Sequence, residues 1–186
     1  MQRNTGGIQG RRHQGVTLIE LIITLSIIAI LASISVPGLV TWQRNSQRQA
    51  AITDFWHAIF LARSEAIKRN SVVVLCKSSD GQQCNNSADN WADGWLVFDN
   101  LDHDEPAQVD AGEPVLRIYN SAQGMNISSN RPSFSFRAVA QGSVNGTIVF
   151  CDARGDASAR AIIISHTGRP RQSSKDASNH ALHCAA

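Results

Sequence analysis

Two arginines near the C-terminus have a spacing that suits phosphate binding. Residues 166–175 read HTGRPRQSSK, in which Gly168 permits a sharp turn and Pro170 favours an extended conformation at Arg169. In an extended chain Arg169 and Arg171 project to the same side, about 6.6 Å apart at ~3.3 Å per residue. Consecutive phosphates of one DNA strand have a comparable separation, because rotation adds to a ~3.4 Å axial rise. These two arginines are therefore candidates for binding consecutive phosphates.

Three further cations are candidates to extend this contact: Lys175, Arg160 and Arg154. The alternative is a turn whose arginines are solvated or paired with acids such as Asp152 and Asp176, and the residues alone favour that alternative. The sequence contains no evident base-reading helix. If the arginines bind DNA, we therefore expect binding that does not depend on the base sequence and that weakens as the salt concentration rises.

A second chemical feature is a carboxylate inside an apolar run. Residues 16–36 are mostly Ile, Leu, Ala and Val, and about twenty residues suffice to cross a hydrocarbon core of ~30 Å. A charge in such a span costs about 2.5–3.5 kcal/mol, so Glu20 needs a partner. Cleavage after Gly15 would create an amine at Val16, four residues away. A cleaved secretory signal is the alternative, but the run is too long for one and the plausible cleavage site precedes it.

Charge is distributed unevenly along the chain. Residues 1–15 contain three arginines and no acid, so their removal would change the formal net charge from +2 to −1. Nine Asp or Glu residues lie between Lys77 and Arg117, whereas seven Lys or Arg and three Asp lie from Arg131 to the end. One part of the protein is acidic and another is mildly basic, and such asymmetry bears on the choice of partners.

The four cysteines predict two disulfides in an oxidising compartment. Cys76 and Cys84 flank the turn-rich loop KSSDGQQ, which favours a local pair and leaves Cys151 with Cys184, although the sequence does not fix the connectivity. Zinc is disfavoured because no C-x-x-C pair is present.

Hydrophobic periodicity predicts an α+β protein. Apolar residues recur at helical spacing from 39 to 70, at Ile52, Phe55, Ile59, Ala62 and Ala66. Arg44 and Arg48 lie just beyond the apolar run, where anionic headgroups are available. Six β-like runs follow, separated by turn formers, which indicates a mostly antiparallel sheet, either continuous or split in two. The runs are SVVVLC, GWLVFD, VLRIY, SFSF, GTIVFC and RAIIIS.

The sequence gives no sign of an enzyme or of a cofactor. The acidic run from Asn100 to Ala111 lacks the glycine and the closing glutamate of an EF-hand, and a looser calcium site is disfavoured against a solvated loop. Ser165 precedes His166 without a nucleophile elbow. Trp91 and Trp95 are four residues apart, and we expect them in the core or at its rim rather than in a ligand cage. No catalytic residue and no metal site are therefore expected.

The segment GVTLIEL, after a short basic leader, resembles the prepilin signature of type IV pilins and type II secretion pseudopilins. The resemblance implies that a prepilin peptidase cuts after Gly15 and methylates Val16. It also implies that Glu20 pairs with the N-terminal amine of a neighbouring subunit during filament assembly. The family usually has Phe where Val16 stands, and Pro37 matches a position where the family's helix bends.

The remainder resembles the GspH/FimT group of minor pilins and pseudopilins. The residues that carry this likeness are CK…WADGWLVFDN, EPVLR, TIVFC and AIIISHTGRPR. FimT members that act in natural transformation have a C-terminal G-R-x-R motif that binds DNA, and Gly168, Arg169 and Arg171 match it. With this resemblance, DNA contact becomes the favoured interpretation of the tail.

Together these observations predict a pilin-like α+β fold in four parts. The parts are a cleaved leader (1–15), a transmembrane and filament-core helix (16–38), an amphipathic helix (39–70) and a β-rich head with a disulfide-stapled tail (71–186). The expected partners are double-stranded DNA, other major and minor pilins, the prepilin peptidase and, before assembly, the inner membrane. The protein would then reach an extracellular type IV pilus. The alternative is a structural or priming minor pilin, or a type II secretion pseudopilin, that binds no DNA.

Overall fold

The structure is a computed structural model that describes residues 15–85, 90–120, 122–138 and 144–184. The predicted leader and its arginines lie outside these residues. The described part contains one long helix and eight strands. They are α1 (Leu18–Arg69), β1 (Val72–Lys77), β2 (Trp95–Asn100), β3 (Val115–Tyr119), β4 (Met125–Ser129), β5 (Ser133–Phe136), β6 (Gly146–Asp152), β7 (Arg160–Ile164) and β8 (Pro170–Ser173).

The strands form two four-stranded sheets. Sheet A has the order β3-β2-β1-β5 and sheet B the order β4-β6-β7-β8. Each neighbouring pair is antiparallel. The predicted α+β fold, with a long helix packed on antiparallel sheets, is therefore confirmed, and the sheet is split in two.

The chain divides into two compact units, with the boundary between Trp42 and Gln43. In the first unit, every described residue is exposed. This apolar part of α1 has the length and composition of a membrane-crossing helix. Its serine and threonine hydroxyls donate to helix carbonyls three or four residues earlier, as Ser26 does to Ile22 O at 2.7 Å. These bonds satisfy the hydroxyls without water, which a hydrocarbon environment requires.

In the second unit, one stripe of α1 forms the centre of the core. Each of the apolar residues predicted for this stripe is buried. The Phe55 ring lies 5.4 Å from the Trp91 ring, 5.2 Å from Trp95 and 5.8 Å from Phe150. Because Trp95 belongs to sheet A and Phe150 to sheet B, Phe55 joins the two sheets through edge-to-face and tilted aromatic contacts. The two tryptophans are core residues, as expected.

The end of α1 has a physical cause in the chain itself. Asn70 adopts φ 54°, in the left-handed region, and the Ser71 N–H donates to Ala66 O at 3.2 Å. A left-handed residue followed by this backbone bond is a common helix terminator. Strand β1 begins two residues later, so the helix delivers the chain directly into the centre of sheet A.

Two strands were not predicted from the sequence. β4 reads MNISS and β8 reads PRQS, and neither has the alternating apolar pattern that identifies a half-buried strand. Both lie at the edges of sheet B, where a strand needs one neighbour only and tolerates proline. The other six strands lie within one residue of their predicted runs.

Both disulfides have the pairing that the turn-rich loop between Cys76 and Cys84 favoured. Cys76 is bonded to Cys84 across 8 residues, and Cys151 to Cys184 across 33 residues. The second bond attaches the C-terminal tail to strand β6.

The packing of Phe55 generates a stability prediction. Phe55→Ala should lower the free energy of unfolding of the second unit by about 3–5 kcal/mol, because it leaves a cavity between the two sheets. Urea unfolding followed by tryptophan fluorescence measures this change. Phe60→Ala is the matched control on the same helix, since Phe60 is 49% exposed, and we expect a change within about 1 kcal/mol. Equal losses in the two variants would contradict the account of the core.

Candidate nucleic-acid interface

A tight hairpin between β7 and β8 positions the two arginines. Gly168 adopts φ 68°, which favours glycine, and its N–H donates to Ser165 O at 2.8 Å. The Ser165 N–H donates to Arg169 O at 3.0 Å, and the Arg169 N–H donates to the Ser165 hydroxyl at 3.2 Å. Ser165 therefore fixes both sides of the turn, and the backbone of Arg169 is held at the start of the edge strand.

Arg169 and Arg171, which we call the edge arginines, lie on one face of sheet B. Arg171 is paired with Ile163, and side chains of directly paired residues share a face. Arg169 precedes Arg171 by two residues and closes the hairpin, so it lies on the same face. Both are exposed. Within the described residues, neither guanidinium has a hydrogen bond or an ion pair.

The acids that were candidates to neutralise the edge arginines have other partners. Asp152 binds Arg48 and Arg154. Asp176 accepts hydrogen bonds from the backbone N–H groups of Ser178 and His180, which hold the pKa of its carboxyl below the usual value. The positive charge of the edge arginines is therefore available to an external anion.

The three other candidate cations do not all join this face. The Arg160 guanidinium donates to Ala159 O at 2.7 Å, and Arg160 is paired with Phe150 on the face of sheet B that packs on α1. Arg154 is half-buried and bound to Asp152 and Asn45. Lys175 is exposed and lies two residues beyond β8. Its backbone N–H donates a hydrogen bond to the Ser173 hydroxyl at 3.0 Å. Only Lys175 is placed to extend the edge arginines.

A buried ion network joins α1 to the end of β6. The Asp152 carboxylate is 3% exposed and lies 3.2 Å from the Arg48 guanidinium, whose side chain is 12% exposed. Hydrogen bonds from Arg154 hold the pKa of Asp152 well below its usual range, and burial lowers the pKa of Arg48. Arg48 also donates to Ser158 O at 2.6 Å. The expectation that Arg48 meets lipid headgroups is therefore wrong, because the network holds it inside the second unit.

The tail after β8 is fixed at several points. Leu182 is buried with Ala159, Ala161 and Cys151. The Cys184 N–H donates to the Asp156 carboxylate at 2.8 Å, and this bond lowers the pKa of Asp156. The Cys151–Cys184 bond closes the segment that contains the hairpin. Such restraint reduces the ordering cost when this segment binds a ligand.

The predicted processing site lies at the start of α1. Gly15 and Val16 precede the helix, and the Thr17 hydroxyl accepts from the Glu20 N–H at 3.3 Å. Thr17 thus caps the helix, and Glu20 occupies the first turn, where a carboxylate is favoured by the helix dipole. The capping role of Thr17 has a sequence signal, since threonine three residues before glutamate is a recognisable capping pattern.

The acidic loop after β2 brings three carboxylates together. Oxygens of Asp102, Asp104 and Asp110 lie within 4.8 Å of one another. The Asp104 carboxylate accepts from the Gln108 N–H at 3.0 Å and from the Asn100 amide at 3.0 Å. These hydrogen bonds within the loop account for the position of the Asp104 carboxylate, because they fix it to the loop's own backbone and side chains.

The fold and the N-terminal segment together define a class, the pilin-like proteins, in which an apolar helix leads into a β-rich head. Residues 51–168 match the family model of type II transport protein GspH. Residues 10–36 match the prokaryotic N-terminal methylation motif. The chain therefore belongs to the GspH family, within the type IV pilin and pseudopilin superfamily.

Individual relatives agree with this assignment. The chain is 36% identical over 52 residues to the type II secretion system core protein G of Pectobacterium carotovorum subsp. carotovorum, a match that covers 28% of this chain and 33% of that protein. The chain thus spans about a third of the length of this curated relative.

Solved structures show the same fold. Two crystal structures of the type IV minor pilin FimU of Pseudomonas aeruginosa match with TM-scores of 0.50 and 0.51, at 17% and 18% identity. The matches cover 67% and 70% of this chain, and 91% and 90% of FimU. The GspH family match ends at Gly168, so the edge arginines lie just beyond it.

The ion network predicts a specific pH dependence. A carboxyl whose pKa is lowered by folding stabilises the protein above its unfolded pKa, near 3.9, and this contribution is lost as pH falls below that value. Asp152→Asn should therefore lower the free energy of unfolding by about 3–5 kcal/mol at pH 7, since it leaves Arg48 without its buried partner. The difference from wild type should shrink by about 1 kcal/mol at pH 3.

Urea unfolding at both pH values measures these differences. Asp93→Asn is the control, because Asp93 is exposed and its variant should resemble wild type at both values. If the difference in the free energy of unfolding between Asp152→Asn and wild type does not change with pH, Asp152 is not the ionised partner of Arg48.

Proposed function

We propose that this protein is a minor type IV pilin that binds extracellular DNA without sequence preference and assists DNA uptake in natural transformation. The observation that carries the proposal is the pair of exposed edge arginines on one face of sheet B, whose guanidiniums have no partner among the described residues. Membership of the pilin superfamily supplies the filament context.

The spacing of the edge arginines suits the DNA backbone. Two residues of extended chain give about 6.6 Å between their projections, so each guanidinium meets one phosphate of the same strand. Guanidinium groups bind phosphate with two parallel hydrogen bonds, which adds orientation to the charge attraction. Since phosphates carry no base information, the contact is independent of sequence.

Affinity from two or three phosphate contacts is modest. The fixed hairpin and the stapled tail support binding, because few torsions need to be ordered. Several subunits on one filament would add avidity through effective concentration. Lys175 adds a further contact in this proposal. Arg154 and Arg160 do not, because Arg154 is bound to Asp152 and Arg160 to Ala159 O.

The N-terminal segment supplies anchoring and assembly. In this proposal, a prepilin peptidase cleaves after Gly15 and methylates Val16, and the apolar part of α1 holds the protein in the inner membrane. Glu20 then pairs with the N-terminal amine of another pilin as the subunit enters the filament, where the head faces outwards. The cost of a carboxylate in hydrocarbon makes this pairing a driving force for docking.

A second candidate function is a structural pilin or type II secretion pseudopilin that binds no DNA. The observation that favours it is the end of the family match at Gly168, before either edge arginine. Both candidates share the fold and the N-terminal segment, so they separate only on the behaviour of the tail.

The edge arginines generate the test. Arg169→Ala with Arg171→Ala should abolish detectable binding to duplex DNA of any sequence, because it removes both phosphate contacts. Fluorescence anisotropy with the full-length chain in nonionic detergent, disulfides intact, measures binding at several salt concentrations. Arg117→Ala with Arg137→Ala is the matched control, since Arg117 is exposed on β3, Arg137 is exposed directly after β5, and the pair removes the same charge.

We expect wild type and control to bind duplex DNA with an affinity that falls as the salt concentration rises. We expect the Arg169→Ala/Arg171→Ala variant to show no binding. A wild-type protein that binds no duplex at low salt would leave the structural pilin as the function.

Glu20 generates a test of assembly that does not involve DNA. Glu20→Gln keeps the side-chain size and removes the charge, so the subunit should insert in the membrane normally and fail to enter filaments. Immunoblots of membrane and sheared-filament fractions measure the two pools. Glu65→Gln is the control within the same helix, because Glu65 pairs with Arg69 in the head. Normal amounts of the Glu20 variant in filaments would contradict the assigned role.

A further inference from the structure

Trp42 lies at the boundary between the apolar part of α1 and the polar sequence that follows it. It is the last residue of the first unit and is 67% exposed. The other three tryptophans belong to the second unit. Trp91 and Trp95 are buried there, and the Trp56 ring lies 5.5 Å from the Phe60 ring. Trp42 is therefore a large apolar side chain that the described part of the chain leaves mostly uncovered.

The sequence changes character on the two sides of Trp42. Before it, α1 presents exposed aliphatic residues as far as Leu39 and Val40. After it, residues 43–49 read QRNSQRQ and contain no apolar residue. Hydrocarbon suits the first part and water suits the second, so the change of environment takes place around Trp42.

An indole ring suits such a boundary because it combines an apolar body with one N–H donor. Deep in hydrocarbon the N–H would lack a partner, whereas in water the apolar ring would stay exposed. Tryptophan is accordingly enriched at the level of the lipid headgroups. The apolar run before Trp42 has the length and composition of a membrane-crossing helix, so the exposed ring continues a surface that suits lipid.

We propose that Trp42 binds the headgroup region on the head side of the inner membrane and sets the depth of α1 in the bilayer before assembly. The inference rests on the anchoring step of the proposed function and does not involve DNA.

The depth set by Trp42 determines the position of Glu20. The two residues lie 22 positions apart in one continuous helix. At about 1.5 Å per residue they are about 33 Å apart along the helix axis, and the hydrocarbon core is about 30 Å thick. With Trp42 at one surface, Glu20 lies at the other surface, where its carboxylate keeps contact with water. The cost of a charge within the span then arises when assembly draws the helix towards the head side.

Quenching of tryptophan fluorescence by brominated lipids tests the position of Trp42. The full-length chain is reconstituted in vesicles of phosphatidylethanolamine and phosphatidylglycerol that contain a lipid brominated either next to the headgroup or at the end of the acyl chain. Bromine next to the headgroup should quench the wild-type emission by roughly a quarter, the share of one tryptophan among four. Bromine at the chain end should quench it less.

Trp56→Phe is the matched control, because it removes a tryptophan of the second unit by the same substitution. This variant should retain the quenching by the headgroup-brominated lipid, whereas Trp42→Phe should lose it. Flotation of each variant with the vesicles checks that the chain is inserted.

Thiol labelling tests the position of the other end of the span. The four native cysteines are in disulfides, so an introduced cysteine supplies the reactive thiol. A water-soluble maleimide is placed on both sides of the vesicle membrane. It should modify Leu21→Cys, next to Glu20, and should leave Leu31→Cys, midway between Glu20 and Trp42, unmodified until detergent is added.

The outcomes separate this inference from the proposed function. Equal quenching of Trp42→Phe and wild type, in chains that float with the vesicles, would overturn the inference alone, as would stronger quenching by bromine at the chain end. Protection of Leu21→Cys equal to that of Leu31→Cys would overturn the placement of Glu20. A wild-type chain that does not float with the vesicles would overturn the anchoring step of the proposed function as well.

Discussion

The burial of one stripe of α1 against both sheets is the contact on which the rest of the head depends. Sheets A and B have none of the described strands in common, and their inner faces meet at the helix. Phe55 touches aromatic residues of both sheets. Full burial of a side chain of this size contributes about 1.5–3 kcal/mol, and the stripe contains several more apolar residues. The polar edges of the sheets are then free to serve other purposes.

The Arg48–Asp152 pair adds direction to this packing. Apolar burial is non-directional, whereas the hydrogen-bonded ion pair holds the Arg48 guanidinium 3.2 Å from the Asp152 carboxylate. Asp152 directly follows Cys151, whose disulfide holds the tail. Arg154 and Ser158 bind the same carboxylate. The Asp152 side chain therefore connects α1 to the end of β6, and the adjacent Cys151 connects β6 to the tail that follows the hairpin.

Local pattern revealed most of the fold. The stripe through Phe55 repeats every three to four residues, and six strands have dense β-branched or aromatic runs, so their own periodicity identifies them. β8 escaped prediction because Pro170 and its polar neighbours carry no such signal, and its pairing with β7 depends on the turn at Gly168. The sequence nevertheless predicted that Arg169 and Arg171 project together, since this follows from extended geometry alone.

Contacts between distant residues had no local signal. Arg48 and Asp152 are 104 residues apart in the sequence. From the sequence alone, a helical arginine after an apolar run is equally consistent with a contact to lipid headgroups. The separation of Arg160 from the edge arginines likewise depends on which face of sheet B it occupies, and that of Arg154 on its bond to Asp152.

In the proposed function, DNA lies against the hairpin end of sheet B, and photo-crosslinking measures this contact directly. A benzophenone side chain in place of Thr167, at the exposed tip of the hairpin, is compared with one in place of Ile118, exposed on β3 of sheet A. The account predicts that the probe at Thr167 crosslinks to a labelled duplex at low salt and the probe at Ile118 does not. Crosslinking from Ile118 alone, or equally from both positions, would contradict it.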